Sequence, residues 1–175
     1  MQRVSPKRTL VLAEEVKPDA IRDLISRMRD LMDEAPEDWI QLNIMSPGGQ
    51  ISTGFGLYDF VQANKLKLQT VVLGHAHSMA VPLFLAGTRR IVARRAIMLL
   101  HEVGYVFEQK ERLDLTQIRR RYRLLEHQQK EYIEVLVERT GGKLNAAQAL
   151  KLMETDTILT ATQAVRYGIA HEILP

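Results

Sequence analysis

The chain contains no cysteine, and this absence removes several kinds of chemistry at once. Without thiols there is no disulfide framework, no cysteine-ligated zinc site and no thiol nucleophile. Long apolar runs are also missing, since no stretch approaches the roughly 18 consecutive apolar residues that a membrane-spanning helix needs. The basic N-terminus has only a short apolar run, followed at once by acidic residues, which is unlike a signal peptide. We therefore expect a cytoplasmic protein without a membrane segment.

An excess of charge of one sign is lacking too. The 24 basic and 21 acidic side chains give a net charge of +3. A balance this small does not by itself argue for a nucleic-acid partner. At 175 residues the chain suits one domain with a sizeable core and is short for two. Because no linker, repeat or low-complexity tract interrupts it, we predict a single domain over residues 1–175.

Segments with the periodicities of strands and helices alternate along the chain. Apolar residues at helical spacing follow Pro18, which suits the first turn of a helix. Capping-box spacings, Asn145 to Gln148 and Thr160 to Gln163, begin two short helices near the end. This order predicts an α/β domain with parallel strands and right-handed crossovers. The predicted strands are 8–13, 39–45, 66–74, 89–93, 96–101 and an edge strand at 171–174; the predicted helices begin at Pro18 and span 52–65, 78–87, 115–139, 144–154 and 159–168.

Unusual residues stand where three of the predicted strands end. "SPGG" follows the second strand, "GHAHS" follows the third, and His101 ends the strand at 96–101. In parallel sheets the carboxyl ends of strands collect the chemistry. Ser78 begins a helix directly after a strand, as a nucleophile elbow does, although the motif is not G-x-S-x-G. A histidine at a neighbouring strand end is a natural general base. The alternative is a helix-capping serine and a packed histidine.

Four segments together resemble the ClpP family of serine peptidases. "NIMSPGGQISTGFGLYDFVQANK" is similar to the family's N-S-P-G-G turn and following helix, and "GHAHSMAVPLFLAGTRR" to its G-x-A-A-S-M-G nucleophile segment. "AIMLLHE" is similar to its V-M-I-H-Q segment, and "ETDTILTATQAVRYGIAHEIL" to its closing acid segment. Because all four stand in the family's order over most of the chain, the resemblance is specific.

The resemblance implies a fold and an assembly. The fold would be crotonase-like, an α/β fold of stacked βαβ units with a protruding long handle helix at about residues 102–140. Subunits would form a homo- or hetero-oligomeric ring around a proteolytic chamber for polypeptide substrates. A separate ATPase, an AAA+ unfoldase, would supply unfolded substrate. The chain itself would need no cofactor, and ATP would act only through that partner.

The resemblance also implies roles for particular residues. Ser78 is similar to the family's nucleophile, His101 to its general base and Asp156 to the aspartate that orients the base. Such a carboxylate fixes the imidazole tautomer and stabilises the imidazolium. The backbone N–H groups of Gly48 and Met79 stand where the family has its oxyanion hole. A glycine there allows close approach to a substrate carbonyl, and an N–H at a helix start is free to donate. Each such donor is typically worth about 3–4 kcal/mol.

The sequence departs from the family pattern at several positions. His77 replaces a small residue before the serine, Ala80 replaces a glycine, and "EVGYVFEQKERLD" replaces the glycine-rich strand that aligns substrate. The family's Asp-Arg step before the catalytic aspartate is here Glu154 and Thr155. The first strand begins close to Met1, so we expect the family's N-terminal pore segment to be lacking and the entrance to be ungated by this chain. His75 and His77 suggest groove polarity rather than an H-x-H metal pair, so no metal site is expected.

The predicted long helix shows a heptad-like seam and a cluster of arginines. The seam indicates partner contact, with Leu125 and Tyr132 buried against another subunit, or alternatively packing within the same chain. "RRRYR" at 119–123 would suit nucleic acid, but glutamates follow at helical pair spacing. An ion-paired face is the preferred interpretation, and no nucleic-acid partner is expected. The seam consists of Leu115, Ile118, Tyr122, Leu125, Gln129, Tyr132 and Leu136.

The sequence therefore predicts a serine endopeptidase subunit of a self-compartmentalising, ATPase-dependent protease. It would cleave peptide bonds through an acyl-enzyme on Ser78. Three alternatives stay open: a non-catalytic ring subunit, an acyl-CoA enzyme on the same fold, and a nucleic-acid binder. No nucleotide site competes, because "TGGKL" lacks the upstream glycine and the Ser/Thr of a P-loop.

Overall fold

Parallel strand pairing organises the molecule. The computed structural model describes residues 4–106 and 112–174, and within them seven strands form one sheet. The main path of the sheet runs β1-β2-β3-β4-β7, while β5 pairs with β3 and β6 pairs with β5. The strands are β1 (Thr9–Leu12), β2 (Ile40–Ser46), β3 (Leu68–His77), β4 (Arg89–Ala93), β5 (Ile97–Leu100), β6 (Thr157–Thr160) and β7 (Glu172–Leu174). The helices are α1 (Pro18–Glu34), α2 (Ile51–Ala63), α3 (Ala80–Leu85), α4 (Leu115–Arg139), α5 (Ala146–Glu154) and α6 (Ala161–Arg166).

The α/β prediction with parallel strands is confirmed. Every strand pair is parallel except β5–β6, which is antiparallel. The segment 171–174 does end the main path of the sheet, where β7 pairs with β4. Strand β6 was not predicted: Leu159 and Thr160 were assigned to the short helix at 159–168, and the two residues before them were assigned to no element. Only the pairing with β5 makes "TILT" extended, and that pairing is not a local property of the segment.

Strand β3 is longer than the sequence predicted, and it changes partner along its length. Residues Gln69 to Val72 pair with β4, whereas His75 to His77 pair with β5. Gly74 lies between the two halves with φ +75°, a conformation that costs glycine little. The pairing of β2 with β3 shifts register at the same level, so that Ser46 faces Ala76. The predicted strand ended at Gly74, whereas β3 continues to His77 and Gly74 lies where the partner changes.

The core lies between the sheet and the helices that pack on it. Helix α1 buries one face, and α3 is buried all round. Helix α1 buries Ala20, Ile21, Leu24, Met28 and Leu31, the helical spacing expected of a surface helix. All six residues of α3 are buried, so the helix that follows β3 is an inner helix. No helix in the described part of the chain is long and apolar enough to cross a membrane.

The long helix was predicted with its observed bounds, Leu115–Arg139. Its start is fixed by a capping box, in which Asp114 accepts from the N–H of Gln117 and the Gln117 side chain accepts from the N–H of Asp114. The same device begins α5 and α6 at Asn145 and Thr160, as predicted. Within the predicted handle at 102–140, residues 107–111 lie outside the described residues.

The predicted burial of Tyr132 against another subunit is wrong. Tyr132 is buried within its own chain, as is Leu136. At the other end of the seam, Leu115, Ile118 and Tyr122 are exposed. The spacing of the seam is continuous, but its burial changes along α4, which contacts α3 and α5. The seam therefore serves the core at one end and leaves an apolar face on the surface at the other.

Candidate active site

Three neighbouring strands deliver the residues that the sequence singled out. Strands β2 and β5 both run parallel to β3, so their carboxyl ends lie at one edge of the sheet. Ala76 of β3 faces Ser46 on one side and Met98 on the other. Gly48 follows β2, Ser78 follows β3 and His101 follows β5. The topology thus brings together the three strand ends, as expected for a parallel sheet.

The backbone of Ser78 is held in a conformation that serine rarely adopts. Its φ is +52°, in the left-handed region. Three hydrogen bonds hold it there: its N–H donates to the carbonyl of Leu99 at 2.9 Å, and its carbonyl accepts from the N–H of Val81 and the hydroxyl of Tyr132, each at 2.9 Å. The side chain is half-buried. A strained serine between a strand and a helix is the geometry of a nucleophile elbow.

The turn after β2 lies directly against this serine. A Cβ added at Gly48 would come within 2.5 Å of the carbonyl oxygen of His77 and 2.7 Å of the Ser78 Cβ, so only glycine fits. Gly48 also has φ +91°, which excludes most side chains independently. The same added atom would lie 2.9 Å from the Met79 nitrogen. The two backbone N–H groups that the sequence predicted as oxyanion donors therefore flank Ser78.

Their present hydrogen bonding differs between the two donors. The N–H of Gly48 donates to Ser46 Oγ at 3.2 Å, and that hydroxyl donates to the carbonyl of Glu14 at 2.6 Å. The N–H of Met79 makes no hydrogen bond to any residue that the structure describes. Sequence reasoning missed Ser46, although a serine two residues before the first turn glycine is the signal that could have found it. Ser46 fixes the turn that carries Gly48.

His101 and Asp156 are brought to facing positions by the antiparallel pair. Leu100 of β5 faces Thr157 of β6, so the next residues along this register are His101 and Asp156. The His101 Nδ1 nonetheless lies 2.6 Å from the carbonyl oxygen of Glu102, and Asp156 is exposed with φ +46°. Within the described residues, no hydrogen bond joins Ser78 Oγ to His101 or His101 to Asp156. The three predicted triad residues are close in topology and not linked in this structure.

Two further histidines lie beside the serine. The rings of His75 and His77 are 4.8 Å apart between centroids. Burial lowers the pKa of His77, and the neighbouring His75 and His101 lower it further. The His77 Nε2 is buried and finds no hydrogen-bond partner in residues 4–106 and 112–174. The same residues contain no group of three or more His, Asp or Glu side chains that could hold a metal ion.

The long helix contributes two residues that sequence reasoning did not place at the site. Tyr132 donates to the Ser78 carbonyl, and Gln129 accepts from the N–H of Val103 at 2.9 Å. Both residues belong to the seam. Its spacing of three and four residues shows that the two side chains lie on one face of the helix, but not which segment that face contacts. Two grooves, of about 780 and 500 Å³, are lined by residues of this helix, and Ser78 lines neither of them.

The comparison with protein families agrees with the arrangement of strands and turns. The family model for Clp protease matches residues 1–175, the whole length of the chain. The mixed α/β fold with its largely parallel sheet fits that family. Members of the family form oligomeric rings that act on substrates. The chain belongs to the Clp protease family and is accordingly a peptidase of the ClpP type.

Proposed function

We propose that this chain is a serine endopeptidase subunit that hydrolyses peptide bonds through an acyl-enzyme on Ser78. The observation that carries the proposal is the backbone of Ser78: φ +52° between a strand and an inner helix, with the Gly48 turn in contact. A helix-capping serine does not need a left-handed backbone, because N-cap residues normally adopt extended angles. The capping serine considered from the sequence is therefore the weaker explanation for this site.

The reaction would follow the serine–histidine–aspartate scheme. His101 accepts the hydroxyl proton as Ser78 Oγ attacks the carbonyl carbon of the scissile bond. The resulting oxyanion accepts hydrogen bonds from the N–H groups of Gly48 and Met79. Collapse of the tetrahedral intermediate breaks the C–N bond, and His101 returns the proton to the leaving amine. Water, activated by His101, then attacks the acyl-enzyme and releases the second product and free Ser78.

Two local changes would bring the triad into line. The His101 Nδ1 would exchange its contact with the Glu102 carbonyl for one with the Asp156 carboxylate, and Nε2 would then face Ser78. The Gly48 N–H would turn from Ser46 Oγ toward the substrate oxygen. Catalytic hydrogen bonds are often long or misaligned before substrate binds, so the present contacts are compatible with this scheme. We propose that ring assembly or substrate binding selects the aligned arrangement.

Family membership supports the remaining features of the proposal. The fold would be crotonase-like with α4 as its handle, and the subunits would enclose a chamber for polypeptides. An AAA+ unfoldase on a separate chain would supply ATP-driven unfolding, and the subunit itself would need no cofactor. A cytoplasmic location is proposed from the sequence on the same footing.

A non-catalytic ring subunit is the second candidate, and one observation favours it. His101 contacts the Glu102 carbonyl, while the exposed carboxylate of Asp156 does not contact the imidazole. If this arrangement persists in the assembled ring, Ser78 lacks its base. The fold and the ring would then be retained without turnover.

A serine-directed fluorophosphonate probe distinguishes these functions. The assembled wild-type protein is expected to label and to cleave short unfolded peptides. Ser78→Ala should abolish labelling and lower turnover on the order of 10⁶-fold, with His101→Ala close behind, because the two residues act as a unit. Ser26→Ala, which changes an exposed serine on α1, is the matched control and should match wild type. A wild-type ring that neither labels nor cleaves supports the non-catalytic subunit, and a fully active Ser78→Ala refutes the serine mechanism.

A further inference from the structure

The hydroxyl of Tyr132 is directed at the backbone of the proposed nucleophile. Tyr132 lies 54 residues after Ser78, is almost fully buried, and donates from its hydroxyl to the Ser78 carbonyl at 2.9 Å. Burial strongly raises the pKa of this phenol, so the hydroxyl stays protonated and remains a donor at any ordinary pH. The bond therefore joins α4 to the turn that carries the nucleophile.

An apolar side chain would fill the same space without this bond. Burying a hydroxyl is unfavourable unless it is hydrogen-bonded, so phenylalanine would suffice if packing were the only requirement. The Ser78 backbone, in contrast, needs support, because a left-handed non-glycine residue costs on the order of 1–3 kcal/mol and persists only where its surroundings over-determine it. The Tyr132 hydroxyl supplies one of the three hydrogen bonds that hold this conformation.

One turn earlier on the same helix, Gln129 holds the segment that follows the proposed base. Its Oε1 accepts from the N–H of Val103 at 2.9 Å, and its Nε2 donates to the Glu102 carboxylate at 3.1 Å. Residue Glu102 is adjacent to His101, and its carbonyl is the partner of the His101 Nδ1. Positions 129 and 132 are three residues apart, so they share one face of the helix. That face is thus hydrogen-bonded both to the proposed nucleophile, Ser78, and to the residues that follow the proposed base, His101.

We propose that Tyr132 and Gln129 are positioning residues through which α4 sets the nucleophile and the base relative to one another. The inference rests on the proposed serine mechanism and deepens it. Neither side chain contacts the reacting atoms: Tyr132 acts on the Ser78 carbonyl and Gln129 on the residues after His101. Both hydrogen-bonded segments therefore depend on side chains of one face of α4.

The test removes the hydroxyl and keeps the ring. In the assembled protein, Tyr132→Phe is expected to lower kcat for a short peptide by about 10- to 100-fold, the range that a misplacement near 1 Å produces. The rate of labelling by the fluorophosphonate should fall in parallel, while KM stays within about twofold because uniform substrate binding is untouched. Tyr167→Phe, a partly buried tyrosine at the end of α6, removes a hydroxyl away from this helix; it is the matched control and should behave as wild type.

A second variant keeps the inference testable if Tyr132→Phe does not fold. Gln129→Met has a similar volume and removes both hydrogen bonds; it should lower kcat and the labelling rate with KM unchanged, whereas Gln128→Met should not. Wild-type kcat and labelling in folded Tyr132→Phe, or in Gln129→Met where the first variant is unfolded, overturns the inference.

Running Ser78→Ala alongside separates two kinds of failure. An active Ser78→Ala, or a wild type that does not label, refutes the serine mechanism and this inference with it. An inactive Ser78→Ala beside fully active positioning variants refutes this inference alone.

Discussion

The two ends of helix α4 share one spacing and have opposite surroundings. At its beginning, Leu115, Ile118 and Tyr122 are 61%, 49% and 60% exposed. Toward its end, Tyr132 is 2% exposed and Leu136 is 0% exposed. The later half packs against its own chain, where Tyr132 donates to the Ser78 carbonyl and Arg139 donates to the Leu85 carbonyl. A seam of continuous spacing therefore does not indicate a single partner along its whole length.

The difference teaches what a helical repeat does and does not specify. A period of three and four residues places side chains on one face, because that spacing follows from 3.6 residues per turn. The repeat is silent about whether that face meets the same chain, another chain or water. In this protein the inner half contacts the turn at Ser78, and the outer half presents an apolar face on a member of a family that forms rings.

The largest expected effect comes from truncating the inner half. Leu136→Ala should lower the free energy of unfolding by about 2–5 kcal/mol, since it removes a fully buried side chain and leaves a cavity. Leu124→Ala makes the same chemical change at a position that is 48% exposed, and it should cost less than about 0.5 kcal/mol. Chemical denaturation of both variants measures the difference. Equal losses would show that the two halves do not differ in the way described.

The next effect concerns assembly through the outer half. Ile118→Asp should leave the fold of the subunit intact and weaken oligomerisation by about 2 kcal/mol or more, about 30-fold in the dissociation constant. Thr116→Asp introduces the same carboxylate on a different face of the helix and should leave assembly unchanged. Sedimentation velocity across a dilution series measures both. Unchanged assembly of Ile118→Asp would mean that the exposed part of the seam is not an interface.

The smallest expected effect is a dependence of the free energy of unfolding on pH, caused by the histidines His77 and His171. Burial, His75 and His101 hold the pKa of His77 below 6.5, and burial with neighbouring arginines does the same for His171, whose Nδ1 accepts from the N–H of Arg90. Between the lowered values and 6.5 the unfolded chain binds more protons than the folded one. Stability should therefore be fully present above about pH 6.5 and fall as the pH drops below it.

Substitution of single histidines tests the source of this slope. His77→Gln should flatten the acid side of a plot of thermal midpoint against pH, because it removes a histidine whose pKa is lower in the folded protein than in the unfolded chain. His127→Gln changes an exposed histidine on α4 and should leave the slope as it is in wild type. A slope unaffected by His77→Gln would assign the whole effect to other groups.

Local signals in the sequence predicted the elements that depend on neighbours along the chain. The capping boxes at Asn145 and Thr160 and the bounds of α4 needed only residues within one or two turns. The order of strands and helices predicted a parallel sheet, and the strand ends predicted where Gly48, Ser78 and His101 would meet. The motifs further indicated the family, which the match over the whole chain confirms.

Contacts between distant segments were beyond such reasoning. Strand β6 exists because β5 pairs with it, and β3 changes partner at Gly74 because β4 and β5 share its length. The Tyr132 hydroxyl and the Ser78 carbonyl are 54 residues apart, and the periodicity of α4 gave no means of choosing between a neighbouring subunit and the turn at Ser78 of the same chain. The contact of His101 with the Glu102 carbonyl was equally invisible, since a motif names residues and not their rotamers.

The sequence by itself determined the α/β order, the helix caps, the family and the residues that stand at the strand ends, because each follows from short-range patterning or a recognisable motif. Only the tertiary structure decided which half of α4 is buried, how the Ser78 backbone is held at φ +52°, and that His101 and Asp156 face one another without bonding. The physical reason is that burial, strand register and hydrogen-bond partners are set by segments far apart in the chain, whose meeting no local pattern encodes.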